Sequence, residues 1–242
     1  MIGEEMVEEE NKEVVVEKAP VPAGTREEKA RERALSKWVP KTRTGKLVMA
    51  GEITSLEQIY ERNLPLLEPE IIDYLVPDLQ EDALDVGVVQ RATDSGRRQN
   101  FLVTAVVGNK DGYVGIGMGK ARNVKPAIER AVRNAKMKVI NIRRGCGSWE
   151  CGCGNPHSIP FRVEGKCGSV RITLFPAPKG TGIIAGDKAK KVLEFAGVKD
   201  VWSRTAGDAR TTFNFARATL NALKNTRRIK LSDEKLKVHA VG

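Results

Sequence analysis

The chain has 242 residues, of which 40% are hydrophobic and 30% are charged, and its formal net charge is +10. This length and composition allow a substantial core, divided between two domains. No apolar run approaches the ~18 residues of a transmembrane helix, and the acidic N-terminus lacks the basic and apolar regions of a secretory signal. We therefore expect a soluble intracellular protein with no membrane partner.

The charge is distributed unevenly along the chain. Residues 1–18 carry seven Glu and two Lys, whereas residues 19–242 carry 39 basic and 24 acidic side chains. The first segment has too few apolar residues to fold alone and is predicted to be an acidic tail. The excess of positive charge in the remainder indicates a polyanionic partner, although a merely soluble basic protein is an open alternative. Residues 227–242 are predicted to form a basic tail.

Residues 19–82 predict a helical extension with little core of its own. A helix over 25–40 is indicated by a capping-box pattern at its start and a proline at its end. A loop or short extended piece is expected over 41–51. A second helix follows Ser55, which has Gln three residues later, and a third begins at Pro69.

The remaining pattern predicts an α+β fold. Residues 83–147 show alternating β-branched residues broken by the turns DSGRR and NKDG, which predict three antiparallel strands, and an amphipathic helix follows. Residues 158–226 predict a hairpin, a helix with Asp187 as N-cap and Gly197 at its end, a strand, and a longer helix over about 208–224. This interleaving indicates a βαβ unit in a second α+β domain.

A Cys-rich connector, assigned to residues 148–157, follows the first domain. The stretch RRGCGSWECGCGNPH at 143–157 holds three of the four cysteines and one of the two histidines. Its C-x4-C-x-C-x3-H spacing, with glycines that allow sharp turns, is typical of structural zinc. The four candidate ligands are Cys146, Cys151, Cys153 and His157. Two alternatives stay open: Cys167 replaces one ligand, or the thiols stay reduced and bind no metal.

No catalytic constellation is evident. His157 lies in the Cys-rich stretch and His239 lies near the C-terminus, so a nucleophile–base pair is disfavoured. The sequence GIGMGK at 115–120 lacks Walker spacing, because its glycines are too close together and Lys120 is followed by Ala121 instead of Ser or Thr. We interpret it as a Gly-rich turn whose following helix N-terminus offers backbone N–H groups to an RNA phosphate.

Three basic regions are candidate RNA contacts: the hairpin tip RATDSGRRQN, the turn and exposed face of the following helix, and the turn in FPAPKGTG. We also expect the exposed face of this helix to present Lys136. Each region has an ordinary alternative, which is a charged edge strand, a solvated helix face or a simple turn. The aromatic content of 5% favours recognition of phosphate and RNA shape over base stacking. The candidate RNA-binding residues are Arg91, Arg97, Arg98, Lys120, Arg122, Lys125, Arg130, Arg133, Lys179 and Lys188.

The order of three motifs resembles the small-subunit ribosomal protein number five family, in its archaeal and eukaryotic style. The motifs are GRRQNFLVTAVVGNKDGYVGIGMGKARNVKPAIERAVRNAK, GSVRITLFPAPKGTGIIAG and GVKDVWSRTAGDARTTFNFARATLNAL. The match covers roughly residues 83–226, with a weaker resemblance over 1–80. The resemblance implies a double-stranded-RNA-binding-like domain at 83–147 and a second α+β domain at 158–226.

The resemblance also implies a function without catalysis. Family members sit near the mRNA entry channel of the small ribosomal subunit, beside ribosomal proteins number four and number eight, and influence decoding accuracy. The implied location is cytoplasmic and ribosome-bound, without a small-molecule substrate. Arg97, Arg98, Lys120 and Arg122 inherit rRNA contacts, while the Cys-rich connector departs from the bacterial pattern. The rival hypotheses are a non-ribosomal double-stranded-RNA-binding protein and a small-molecule kinase-like enzyme.

Overall fold

The computed structural model of the protein describes residues 38–228, which lie within one compact unit. The acidic tail and nearly all of the helix predicted over 25–40 lie outside these residues, as does most of the basic tail. Within the described part of the chain, no helix is both long and apolar enough to cross a membrane.

In its described part, from residue 38 onward, the extension contains three short helices before the first strand. They are α1 (Arg43–Met49), α2 (Leu56–Glu61) and α3 (Glu70–Leu75). The prediction of a loop or short extended piece over 41–51 was wrong, because residues 43–49 form α1. The Thr42 side chain caps this helix by accepting a hydrogen bond from the Gly45 N–H at 3.1 Å. Val48, on the same helix, is fully buried. Seven residues carry too weak a periodic pattern for a sequence-based prediction of this helix.

The extension has a core that it shares with the first sheet, contrary to the expected arm with little core. Tyr60 donates its hydroxyl to the backbone carbonyl of Val139 at 2.7 Å, which fixes α2 against the chain that follows the long helix of the first domain. The cluster of buried residues consists of Val48, Ile53, Leu56, Ile59, Ile71, Ile72, Leu79, Val107, Ala135 and Val139.

The first domain is an antiparallel sheet covered by one helix. Its strands occur in the order β1 (Gln80–Thr93), β2 (Gly96–Gly108), β3 (Tyr113–Ala121) and β4 (Ile140–Asn141). The first three strands and the helix α4 (Val124–Lys136) match the predicted order of elements. Ala127, Ala131 and Ala135 form the buried stripe of the helix.

The glycines of GIGMGK lie inside β3 and not in a turn, so that interpretation was wrong. A Cβ added to Gly117 would overlap backbone atoms of Ala131 and Ala135, and one at Gly115 would come within 2.5 Å of the Ala135 carbonyl oxygen. The absence of side chains therefore lets α4 lie directly on the strand. The turn into the helix is formed by Arg122 and Asn123.

The second domain contains the expected βαβ unit. Its strands are β5 (Val163–Cys167), β6 (Val170–Pro176), β7 (Ile183–Ile184) and β8 (Val201–Ala206), in the sheet order β5-β6-β8-β7. β7 and β8 are parallel, and the helix α5 (Asp187–Phe195) connects them. The final helix, α6 (Thr212–Asn225), covers β5 and β6.

Two predicted helix starts in this domain were displaced. The N-cap of α5 is Gly186, one residue before Asp187, whose carboxylate lies in the first turn. Gly197 has φ +78° just after the helix and ends it as predicted. The start of α6 is Thr212 and not about 208, because the Thr211 N–H bonds to the Asp208 carbonyl in a separate turn.

Both sheets contribute to one buried cluster. The first sheet supplies Leu84, Val106, Val114 and Ile116, and the second domain supplies a larger group from its strands and both helices. The residues of the second domain in this cluster include Ile172, Leu174, Val192, Leu193, Val201, Phe215 and Leu223. The two domains are therefore joined by apolar packing as well as by the Cys-rich connector.

Candidate nucleic-acid interface and metal centre

The β1–β2 hairpin presents three arginines at its tip. Arg91 lies opposite Arg98 in the strand register, and Arg97 lies opposite Ala92. All three are exposed, and none forms an ion pair with another residue in the range 38–228. Like charges directly opposite on a strand pair destabilise it. A bound anion would relieve this repulsion, which favours phosphate contact over simple protection of an edge.

A cleft of about 490 Å³ lies where β3 leads into α4. Its lining includes Lys120, Arg122 and Arg130, together with Asn100 of β2. Arg130 donates from Nη1 to the backbone carbonyl of Lys120 at 2.9 Å, which holds its guanidinium at the rim. The structure thus brings these three predicted residues together beside the N-terminus of α4, where backbone N–H groups favour an anion.

The outer face of α4 is basic, but it does not include Lys136. Lys125, Arg130 and Arg133 are exposed. The Lys136 ammonium is buried between Asp73 at 2.7 Å and Glu81 at 2.8 Å, so it joins the extension to the helix. The sequence interpretation of this side chain as part of the basic face was wrong.

The two lysines predicted in the second domain differ in environment. Lys179 is exposed in the turn that follows β6. Lys188 is half-buried on α5 and donates its ammonium to the backbone carbonyl of Leu84 in β1. We therefore leave Lys188 out of the proposed RNA surface, and its contact with RNA stays a prediction.

Three thiols and one imidazole converge in the connector. The ligand atoms of Cys146, Cys151, Cys153 and His157 all lie within 4.8 Å of one another. The Sγ atoms of Cys146 and Cys153 are 3.6 Å apart, and the Sγ of Cys151 is 3.7 Å from Nε2 of His157. Zinc–sulfur bonds of ~2.3 Å in a tetrahedron place sulfurs ~3.8 Å apart. The set therefore fits a closed structural zinc site.

Cys167 does not belong to this group. It lies at the end of β5, and its Sγ is 3.7 Å from the side-chain oxygen of Asn214 in α6. The group that the structure brings together therefore consists of the four residues whose spacing predicted a site, and Cys167 is not a member of it.

The thiols differ in their surroundings. Backbone N–H groups of Lys179 and Cys153 donate to Cys151 and, with the Cys153 thiol and His157, lower its pKa to about 6. Burial raises the pKa of Cys146 to about 11, and the neighbouring Cys153 and Cys151 add to this effect. A coordinating metal deprotonates thiols outright, so it would hold Cys146 as thiolate as well.

Residues outside the predicted set complete the centre. His157 is 6% exposed, and its Nδ1 lies 2.8 Å from Oδ2 of Asp200, which leaves Nε2 facing the thiols. A second cleft of about 400 Å³ is lined by His157, Asp200, Arg144, Lys179 and Lys199. Asp200 is 43 residues from His157. It gave no signal in the sequence, where it is a single acid directly before the residues that form β8.

Comparison with protein families matches both domains. A family model described as ribosomal protein S5, N-terminal domain, matches residues 79–143, and one described as ribosomal protein S5, C-terminal domain, matches residues 165–236. The cluster of Cys146, Cys151, Cys153 and His157 lies in the interval between the two matches.

Relatives of high identity span most of the chain. A small ribosomal subunit protein uS5 from Staphylothermus marinus is 63% identical over 193 residues, covering 80% of this chain and 90% of the relative. The protein of the same name from Ignicoccus hospitalis is 59% identical, covering 78% and 90%. That from Methanocaldococcus jannaschii is 56% identical, covering 84% and 94%. The chain belongs to the ribosomal protein S5 family, in its archaeal type.

Proposed function

We propose that the protein is a structural constituent of the small ribosomal subunit that binds rRNA through phosphate contacts. The observation that carries this proposal is the exposed arginine hairpin, where Arg91, Arg97 and Arg98 meet no acidic partner among the described residues. The cleft around Lys120, Arg122 and Arg130 supports it, because a basic concavity at a helix N-terminus suits a phosphate. Lys125 and Arg133 on the exposed face of α4, and Lys179 in the second domain, are the further proposed contacts.

The test is the salt dependence of binding to an in vitro transcript of an archaeal small-subunit rRNA. Replacing Arg97 and Arg98 by Ala removes up to about two released counterions, so the slope of log affinity against log salt becomes shallower by that amount. The matched control replaces Arg43 and Lys46, two exposed basic residues of α1 in the extension, by Ala. Equal slopes for both double variants would remove the hairpin from the interface.

The family resemblance extends this proposal to a location. We propose a ribosome-bound protein near the mRNA entry channel and decoding region, beside ribosomal proteins number four and number eight, where it supports translational accuracy. Subunits reconstituted with the Arg97→Ala/Arg98→Ala protein should misread near-cognate codons at an altered frequency. An unchanged misreading frequency in subunits that have incorporated the variant would contradict the role in accuracy.

We also propose a structural zinc ion held by Cys146, Cys151, Cys153 and His157. Such an ion would replace weak thiol contacts of 3.5–3.7 Å with four coordinate bonds in a Gly-rich connector. The four protein ligands fill a tetrahedral shell, so the site offers no open position for catalysis. Elemental analysis of protein purified without chelators should give about one zinc per chain.

We propose no catalysed reaction. The glycines of GIGMGK pack under α4, which makes them unavailable as a nucleotide-binding loop. His157 is assigned to the metal, which removes it as a general base. A direct binding assay with ATP and Mg²⁺ should show no saturable binding, and saturable binding would revive the kinase-like alternative.

Co-sedimentation with small subunits at moderate salt would distinguish the ribosomal role from that of a free double-stranded-RNA-binding protein.

A further inference from the structure

The turn that carries Lys179 is held by a carboxylate that also contacts the metal centre. Oδ1 of Asp200 accepts from the backbone N–H of Gly180 at 3.1 Å and from that of Gly182 at 2.8 Å. Both glycines have positive φ, +92° and +73°, so the turn has a backbone conformation that other residues rarely adopt. The Asp200 side chain is only 7% exposed. This buried acid therefore fixes an otherwise exposed turn.

The other oxygen of Asp200 orients the candidate histidine ligand. Oδ2 lies 2.8 Å from Nδ1 of His157, and a carboxylate accepts a hydrogen bond and cannot donate one. The proton of the imidazole is therefore on Nδ1, and the lone pair of Nε2 points at the thiols. A histidine that ligates a metal commonly donates its other ring N–H to a carboxylate in this way.

Three further backbone contacts join the same segments. The backbone N–H of Lys179 faces the Cys151 thiol. The His157 carbonyl accepts from the N–H groups of Lys199 at 2.8 Å and Asp200 at 3.1 Å. Consequently, the connector, the turn around Lys179 and the start of β8 form one hydrogen-bonded unit. Lys179 and Lys199 line the second cleft of this unit, together with Arg144.

We propose that Asp200 is a positioning residue that couples the metal centre to the turn at 178–182, so that bound zinc fixes Lys179 and its cleft for an RNA phosphate. This inference rests on the zinc site and the Lys179 contact of the proposed function. Zinc bound at Nε2 holds the imidazole, the imidazole holds Asp200, and Asp200 holds Gly180 and Gly182. Without zinc, the imidazole is free to turn and this chain of contacts loosens.

The sharpest variant is Asp200→Asn, which keeps the shape of the side chain but has only one acceptor oxygen. If that oxygen faces Gly180 and Gly182, the amide N–H₂ faces Nδ1 of His157, which moves the imidazole proton to Nε2 and blocks the ligand. If the oxygen faces His157, the amide opposes two backbone N–H donors. Asp208→Asn, at an exposed acid of the same domain, is the matched control.

The experiment uses the full-length protein and three readouts. For Asp200→Asn, we expect zinc affinity to fall about 10–100-fold, with changed absorption of the Co²⁺-substituted site. Amide hydrogen exchange at Gly180 and Gly182, followed by NMR, should accelerate at least about tenfold. Affinity for the small-subunit rRNA transcript should fall about fivefold, as in Lys179→Ala, which should retain normal zinc affinity.

The outcomes separate this inference from the proposed function. If the wild-type protein binds no zinc, both the zinc site and the coupling fail. If it binds zinc but Asp200→Asn behaves as Asp208→Asn, the coupling alone fails. Should Asp200→Asn not fold, removal of zinc from the wild type by a chelator serves instead. Accelerated exchange at Gly180 and Gly182 would then support the coupling, and unchanged exchange would overturn it.

Discussion

The Glu68 carboxylate holds the start of the described chain against the loop before α3. Oε1 accepts from the N–H groups of Lys41 at 2.9 Å and Thr42 at 2.6 Å, and Oε2 accepts from the indole N–H of Trp38 at 2.9 Å. Partial burial alone would raise the pKa of Glu68. The hydrogen bonds from Thr42, Lys41 and Trp38 outweigh that effect and lower the pKa below its usual 4.5.

Replacing Glu68 by Gln should therefore destabilise the protein in a pH-dependent way. The folded state holds Glu68 charged more firmly than the unfolded state does, so its contribution is complete above pH 4.5 and is lost as the pH falls through the lower folded pKa. At pH 7 we expect a loss of roughly 1 kcal/mol, because the site is open to solvent. Urea unfolding of both proteins over this pH range measures the difference.

The control for this prediction is Glu61→Gln, at an exposed position at the end of α2. It should change the free energy of unfolding by less than about 0.5 kcal/mol at every pH. A deficit of Glu68→Gln that stayed constant down to low pH would mean that the carboxylate charge is not what holds this segment.

Gly117 provides a second test at a single residue, because the backbone of α4 occupies the space of a side chain there. Gly117→Ala should lower the free energy of unfolding by about 2–3 kcal/mol through overpacking. The control is Gly87→Ala in β1, where the nearest atom to an added Cβ is 4.0 Å away. Chemical denaturation distinguishes the two, and equal stabilities would show that α4 can move off the strand.

At the scale of elements, the connector should depend on its metal. A ligand present at 1,000 times its dissociation constant stabilises the folded state by about 4 kcal/mol. For a chain of this size, that corresponds to a fall in Tm of roughly 8–16 °C when a chelator removes the zinc. Cys151→Ser should give the low Tm with or without zinc. Cys167→Ser, outside the cluster, should keep one zinc per chain and the zinc-dependent shift in Tm.

Elements with strong periodic patterns could be predicted from the sequence, and elements that depend on tertiary contacts could not. The β-branched runs and turn residues of β1–β3 and the alanine stripe of α4 are local signals that the sequence carries by itself. The helix α1 has only seven residues, and its stability comes from the Thr42 cap and from burial of Val48 against the extension core. Nothing local specified that contact.

The candidate sites divide in the same way. The spacing of Cys146, Cys151, Cys153 and His157 is local, and the sequence therefore predicted the ligand cluster that the structure brings together. Asp200 enters the centre only through the folding of the second domain. Helical spacing placed Lys136 on the basic face of α4. Its partners Asp73 and Glu81 lie more than 50 residues earlier in the chain, so the local sequence could not show that its ammonium is buried.

At the scale of the whole molecule, shared apolar clusters join the extension, the first domain and the second domain. Val107, Ala135 and Val139 of the first domain pack with the extension, while Leu84, Val106 and Ile116 pack with the second domain. Since neither boundary is a solvated linker, we expect residues 38–228 to unfold in one cooperative transition. A substitution at Ile72, which is fully buried in α3, tests this expectation.

Ile72→Ala should reduce the free energy of unfolding by about 2–5 kcal/mol, because it leaves a cavity in the extension core. Two single-tryptophan backgrounds report on the extension and on the second domain, with Trp38 before α1 and Trp202 in β8. In urea, the substitution should shift the fluorescence midpoint equally at both reporters. Cooperative packing requires this equality, since Trp202 lies in the second sheet and outside the cluster to which Ile72 belongs. If only the Trp38 midpoint moved, the extension would be an independent folding unit docked on a separately stable body.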